Sequence, residues 1–397
     1  MYKKYDKYSL LIYIVWLFLQ NSCVQPEKKQ HRDIIAIKPN IEKIESPDSW
    51  ELLLKDVDFT ILESTDGSII TQINKLTLDK RYIYILDKNR VIIFDNEGNF
   101  IKNLPKNGKG PGEAIKIHDF CIDEDNNLYI LAEGGKILMY HALEFTSEFQ
   151  AAINGNAVKP INFQIENGSS FYWMDRFGYS SLSGTPERLL YEVNSQSNEL
   201  NSFFIRSYFS SKMSRFNQSN QENIITPPIG SDTLYLITAN GLQPEIAIDF
   251  GKYSIIKSNN KISNEVNDPY ALLSDLHRNR LVGELMFAVK NGNYLSLLFP
   301  NPIDEKYCNL LIEKTTGKSY VIAVKPSENL FYPGIIFSSY NNQMISAKES
   351  FLITDCMKRG LNKCSFISEE RRIKLLEKLQ SVKETDNPVI MKMTIKE

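Results

Sequence analysis

Between Lys106 and Leu131 the chain reads KNGKGPGEAIKIHDFCIDEDNNLYIL, which sets Gly108, Gly110 and Gly112 around Lys109 and Pro111, with Glu113 behind them. Glycines at that spacing let backbone amides close on a phosphate when the loop leaves a strand and opens a helix whose N-terminal amides face the anion. Here no helix follows. From Ala114 to Ile122 apolar and polar residues alternate in the pattern of a half-buried strand. The loop is therefore expected to turn a corner between strands, with glycine supplying positive φ and Pro111 fixing its own. Glu113 would accept backbone amides or pair with a basic side chain, and a nucleotide cradle is the weaker reading.

Other chemistry-bearing residues give the same answer. Neither HExxH nor GxSxG occurs. Thr316-Gly317-Lys318-Ser319 imitates the end of a phosphate loop, but Ile312 stands where its first glycine belongs, and the segment fits a hairpin turn. Asp123, Asp125 and Asn127 alternate like the first ligands of a calcium loop, yet Leu128 and Gly134 occupy the positions of its glycine and its glutamate. Of His31, His118, His141 and His277, His118 is singled out because it adjoins both the glycine-rich loop and Asp119. His118 and Asp119 are the candidate ligand-facing pair, set against the packed role that a lone histidine on a strand usually has. Cys121, Cys308, Cys356 and Cys364 have no CxxC spacing and no neighbouring histidine, so no metal site is expected. Cys356 and Cys364 are close enough in sequence for a disulfide in an oxidising compartment, and two free thiols are equally compatible. No catalytic residue, cofactor or metal is expected. The 20 Tyr and 21 Phe suit either a sugar-stacking platform or a large β core.

These residues must be held by something, and the N-terminus says where it goes. Lys3, Lys4 and Lys7 precede the apolar run LLIYIVWLFL at 10–19, which is short for a bilayer span and reads as an export signal. Ser22-Cys23 resembles a bacterial lipoprotein box, although Gln20 departs from its usual pattern, so residues 1–22 are expected to be removed and Cys23 to carry lipid. The alternative is a plain signal peptide. What remains has 43 basic and 47 acidic residues, which excludes a basic field for nucleic acid. Residues 23–47, polar and broken by Pro26, Pro39 and Pro47, are expected to be a flexible tether. Residues 48–397 remain for a single folded domain.

That domain repeats itself. Leu78 to Leu86 and Ile122 to Leu131 each run from an Asp- or Asn-rich turn into a strand centred on (Ile/Leu)-Tyr-Ile, and Tyr84 and Tyr129 lie 45 residues apart. Weaker echoes place Tyr172, Tyr235 and Tyr294 at further steps of 43, 63 and 59 residues. The period is that of one four-stranded propeller blade. Residues 178–188 and 206–222 are expected to be polar insertions, loops or short helices on one face, and a sixth unit is expected over 340–354, with 350–354 as a strand. Outside those insertions almost no convincing helix is expected before the amphipathic segment 368–380, where Ser368 caps the first turn and Ile373, Leu376 and Leu379 share a face. The final strand, 387–393, is expected to close the ring and hide its edge. The fold class is all-β: a six-bladed β-propeller with four-stranded antiparallel blades and one short C-terminal amphipathic helix.

Leu62-Glu63-Ser64-Thr65, Ile83 to Asp87, the GxGPGE loop of Gly108, Gly110, Pro111, Gly112 and Glu113, Asp119-Phe120, Asp232-Thr233-Leu234-Tyr235 and Asp386-Asn387-Pro388-Val389 together resemble six-bladed β-propeller lipoproteins of gut-type Gram-negative bacteria, relatives of NHL-repeat propellers. The likeness spans roughly residues 55–397. It implies the fold, a cell-envelope location as an outer-membrane lipoprotein, and a structural signature loop, with no shared catalytic residue to carry over. The function expected is an envelope-anchored binding or interaction module for a glycan, peptide or envelope protein, using loops on one propeller face. The rival is a calcium-dependent hydrolase or lactonase working in the central channel.

Overall fold

The computed structural model of the chain describes residues 34–166, 168–174, 188–194, 200–205, 216–219, 222–229, 231–238, 241–255, 257 and 269–396. The leader of residues 1–22, Cys23, and most of the insertions at 178–188 and 206–222 lie outside them. Six four-stranded antiparallel sheets follow one another along the chain and form a six-bladed β-propeller. Blade one comprises Lys75–Leu78, Tyr82–Asp87, Arg90–Asp95 and Phe100–Leu104; blade two comprises Ile117–Ile122, Leu128–Ala132, Lys136–His141 and Glu144–Gln150. Blade three runs from Pro160–Glu166 to Leu200–Ile205, blade four from Phe216–Ser219 to Gly241–Ile248, and blade five from Met286–Asn291 to Ser319–Ala323. The first strand of each blade lies innermost, and Ser219 of blade four pairs with Ser339 of blade six across the centre.

Blade six is composite. Ile336–Tyr340 and Gln343–Lys348 are followed by the C-terminal strand Val389–Ile395, and the outermost strand is Leu54–Thr60 from the other end of the chain. Leu54 pairs with Ile395 and Thr60 with Ile390, so the ring is closed by the two ends of the domain lying antiparallel.

Blades pack face against face, so a strand between two neighbours has no wet side. Tyr82–Asp87 and Arg90–Asp95 are accordingly buried almost throughout, not alternately. The cores lie between blades: Tyr84, Val91 and Ile93 meet Phe120, Ile130 and Leu138, while Cys121, Tyr129 and Ile137 meet Phe163 and Tyr172.

Several sequence expectations need correction. Residues 35–47, assigned to the tether, are packed on the domain: Ile35–Ile37 pairs in parallel with the outer strand of blade four, Ile41 is buried, and Glu45 bridges to Ile322. Ile35, Ile37, Ile41 and Ile44 all pack on one core between blades four and five, and these isoleucines outweigh the polar residues between them. Within the stretch 206–222, Phe216–Ser219 is the inner strand of blade four. Tyr235 lies in the third strand of its blade, whereas Tyr84, Tyr129, Tyr172 and Tyr294 lie in second strands, which explains the long step before it. Ser350–Lys358, expected to begin as a strand, is a helix, and Pro269–Arg278 is another that was not expected. The helix Glu369–Leu379 forms as expected, with Ser368 Oγ accepting from Arg371 N, but its buried residues are Leu375 and Leu379 while Ile373 is exposed. No described helix is long and apolar enough to cross a membrane.

Candidate functional site

In antiparallel blades the turns between first and second strands all emerge at one end of the ring. There they surround a cavity of about 420 Å³ lined by Leu78, Asp79 and Lys80 of blade one, Ile122, Asp123, Glu124 and Asn126 of blade two, Ile165 and Glu166 of blade three, Asn223 of blade four, and Ser339, Tyr340 and Asn341 of blade six. Five blades thus converge on one polar basin at the mouth of the central channel.

The repeat read from the sequence is what builds its wall. Asp79 Oδ1 accepts from the amides of Arg81 at 2.6 Å and Tyr82 at 2.7 Å, and Tyr84 Oη donates to Asp79 Oδ2 at 2.7 Å. In blade two Asp123 Oδ1 takes the amides of Asp125 at 3.0 Å and Asn127 at 2.8 Å. Its Oδ2 takes Asn127 Nδ2 at 2.9 Å and Tyr129 Oη at 3.0 Å. The repeated tyrosine is therefore a latch from the second strand onto the turn aspartate. Burial first, and the carboxylate second, push both phenols well above their ordinary range, so they stay protonated donors. The alternating acids at 123–127 are a β-turn, with Asn126 at φ +60°.

The rest of the wall is made between blades. Asn223 Nδ2 donates to Glu166 Oε2, joining blades three and four. Ser339 Oγ donates to the Lys290 carbonyl at 2.6 Å, and Asn291 Nδ2 to the Asn342 carbonyl at 3.0 Å, joining blades five and six. Lys290 also pairs with Glu245 at 3.4 Å, as does Lys314. Burial works to raise the Glu245 carboxyl, but the two ammonium groups hold it below the ordinary carboxylate range.

The glycine-rich loop lies elsewhere. It connects the last strand of blade one to the first strand of blade two, which then runs five residues, roughly 17 Å, before reaching the cavity at Ile122. Gly110 N donates to Glu113 Oε2 at 2.9 Å, Gly112 N to Glu148 Oε2 at 3.0 Å, Tyr140 Oη to the Gly112 carbonyl at 3.1 Å, and Lys136 Nζ to the Glu113 carbonyl at 2.7 Å. A Cβ on Gly108 would lie 2.0 Å from Glu113 Oε2, and one on Gly112, at φ +70°, 2.8 Å from the Phe145 ring. Pro111 stands at the exposed tip. The two amides and two carbonyls bonded here all face the protein's own chain, which fits the loop as a corner against blade two. Thr316-Gly317-Lys318-Ser319 is likewise a hairpin turn, closed by Gly317 N to the Glu313 carbonyl at 2.9 Å.

Asp119 is not ligand-facing. It is fully buried, takes Lys75 Nζ of blade one at 3.0 Å and the Phe163 amide of blade three at 3.3 Å, and so staples three blades. Burial pushes its carboxyl up while Lys75 and the amides pull it down, with burial dominant. Lys75 is itself buried and also donates to the Phe120 carbonyl at 2.7 Å. The expectation failed because alternation assumes one wet face, and an inner propeller strand has none. His118, half-buried beside it, does not line the cavity. The four described cysteines are free, including Cys356 and Cys364. Among the described residues no group of three His, Cys, Asp or Glu is placed to hold a metal ion.

The sequence profile of one family, described as a domain of unknown function, DUF4934, matches residues 33–394. The chain belongs to the DUF4934 family. No curated protein matches it. Among solved structures, this DUF4934 chain is similar to a Bacteroides fragilis protein described as exported, at 17% identity and TM-score 0.70, over 92% of this chain and 100% of that one. That likeness shows the fold. A DUF4221 member from Bacteroides vulgatus is more distant, at 10% identity and TM-score 0.45, over 87% of this chain and 98% of its own.

Proposed function

We propose that this DUF4934 chain is an envelope-anchored binding module that recognises a glycan, a peptide or an envelope protein through the turns at the channel mouth. The observation that carries the reading is the cavity itself: turns of five blades bring polar side chains to one basin of about 420 Å³, near the lower end for a small-molecule site. Among the described residues no cysteine or histidine lines it, and the His141 ring is bonded to Asn127 Oδ1 at 2.8 Å beside one of its turns. The cavity therefore presents groups that hold a ligand rather than a nucleophile with its base. The basic and apolar leader before Cys23 supports lipid attachment there and a place in the outer membrane, in keeping with the exported character given to the Bacteroides fragilis relative in fold.

Calorimetry of a soluble form starting at Val24 against glycan and peptide panels tests the binding reading, and silence across both sinks it. Replacing Cys23 by Ala is expected to release the full chain from the membrane fraction; if that variant stays membrane-bound, the anchor is elsewhere.

A further inference from the structure

Resting on the mouth as the binding site, we infer that it takes the free end of a glycan chain and not an internal stretch of one. The basin is blind. Directly beneath Leu78, Ile122 and Ile165 of its lining, the inner strands of blades one, two and three carry Leu76 and Thr77, Phe120 and Cys121, and Phe163 and Gln164, all of them buried. Consecutive residues of a strand face opposite ways, so both faces of each strand close to solvent within two residues of the lining, roughly 7 Å. The sides close as well. Among the described residues blade five adds nothing to the lining, and in front of it the inner strands of blades four and six pair directly at Ser219 and Ser339.

A trough open at two sides lets a polymer lie through it, whereas a walled pit with a floor admits only something that has an end. At about 420 Å³ the basin is near the lower end for a small-molecule site, with room for about a disaccharide and not for a longer run. The lining decides the kind of chain. It sets carboxylates and the side-chain amides of Asn126 and Asn341 beside the Lys80 ammonium and the hydroxyls of Ser339 and Tyr340, so acceptors and donors stand together. Sugar hydroxyls both donate and accept, and meet either kind. A peptide end instead brings one formal charge, an ammonium that only donates or a carboxylate that only accepts. Tyr340, half-buried, offers a ring for the apolar face of a terminal sugar.

The test is calorimetry on the mature protein with dextran, mannan, levan and xylan, each intact and after partial acid hydrolysis, beside the peptide panel. For a glycan that binds, the number of sites per gram should rise in step with the number of chain ends, at unchanged affinity per site. Sites per gram that stay constant or fall on hydrolysis overturn the inference, because internal stretches are then what binds. Tyr340→Ala should weaken binding about tenfold or more, and Tyr340→Phe should keep it. Lys80→Trp, at an exposed position of the lining, should crowd the pit and weaken binding too, which keeps the test open where the alanine variant fails to fold. Glycan binding indifferent to these substitutions lies outside the pit and overturns the inference. If peptides bind and none of the four glycans does, the inference alone is overturned; if nothing binds at all, the binding reading falls with it.

Discussion

The two ends of the propeller use the same materials, turns of glycine, asparagine and acidic residues, to opposite effect. At the corner between blades one and two, the amides of Gly110 and Gly112 and the carbonyls of Gly112 and Glu113 are all taken up by Glu113, Glu148, Tyr140 and Lys136. At the channel mouth the turns are just as firmly built, yet among the described residues they leave the Asp79 and Asp123 carboxylates facing neutral donors and Asn223 Oδ1 without a hydrogen-bond partner. A region whose polar groups satisfy one another can only contribute stability. One left with surplus acceptors can also contribute affinity.

If that contrast holds, substitutions away from the mouth should change melting and denaturant midpoints without changing ligand affinity. The largest effect is expected from Asp119→Ala, which strands the Lys75 ammonium in a dry interior and should cost about 3–5 kcal/mol by chemical denaturation. The double replacement Lys75→Met with Asp119→Leu should recover most of that loss; failure to recover it would mean that the staple is more than a buried pair. Next, Tyr84→Phe removes a buried hydroxyl from the Asp79 carboxylate and should cost roughly 1.5–3 kcal/mol. Because that latch belongs to the mouth, it is the one stability variant expected to lower affinity as well, which sharpens the division between the ends.

Gly112→Ala should cost about 1–3 kcal/mol, from the positive φ and the contact with Phe145, and should leave binding at the mouth untouched. Nucleotide titrations of the parent are expected to be flat. Saturable ATP binding lost in Gly112→Ala without loss of stability would return the loop to the role of a cradle.

The most gradual effect is a pH slope. Lys348 is buried and donates to the carbonyls of Pro326, Asn329 and Leu330 at 3.0, 2.6 and 3.0 Å, and burial pulls it from 10.5 down to about 8. Between those two values the unfolded chain holds the extra proton. Stability should therefore rise with pH across that window, by no more than about 1.4 kcal/mol per unit, and be insensitive to this group below it. Lys348→Met should remove the difference, read from denaturation midpoints at pH 7.5, 9 and 10.

The blades were legible because their repeat has a physical cause. Tyr84 and Tyr129 recur because each must reach back to the aspartate of its own turn, and that link fixes their spacing from Asp79 and Asp123. The corner at Gly108 to Glu113 was legible for a similar reason, since glycine at Gly112 answers a local backbone demand. Asp119 was misjudged because its surroundings come from blades one and three, which no local pattern contains. Asn223 was missed for the same reason: in the sequence it is one more polar residue in a polar stretch, and only blade three makes it part of a wall. The strand at 35–37 was missed because three residues are too few to show a period, whereas its partner, 246–248, fixes it at once.

The pairing of Leu54 with Ile395 gives the molecule a clock as well as a clasp. Contacts between residues so far apart in sequence are slow to form, because the chain entropy of bringing them together is lost before the contact rewards it. Blades one to five draw on continuous stretches of chain and can assemble in the order of synthesis. Blade six cannot: until its last seven-residue strand arrives, Leu54–Thr60 has nothing to pair with and Gln343–Lys348 stands as a bare edge. Circularity is thus acquired in the final step, and a chain interrupted shortly before its end keeps five blades and loses the ring.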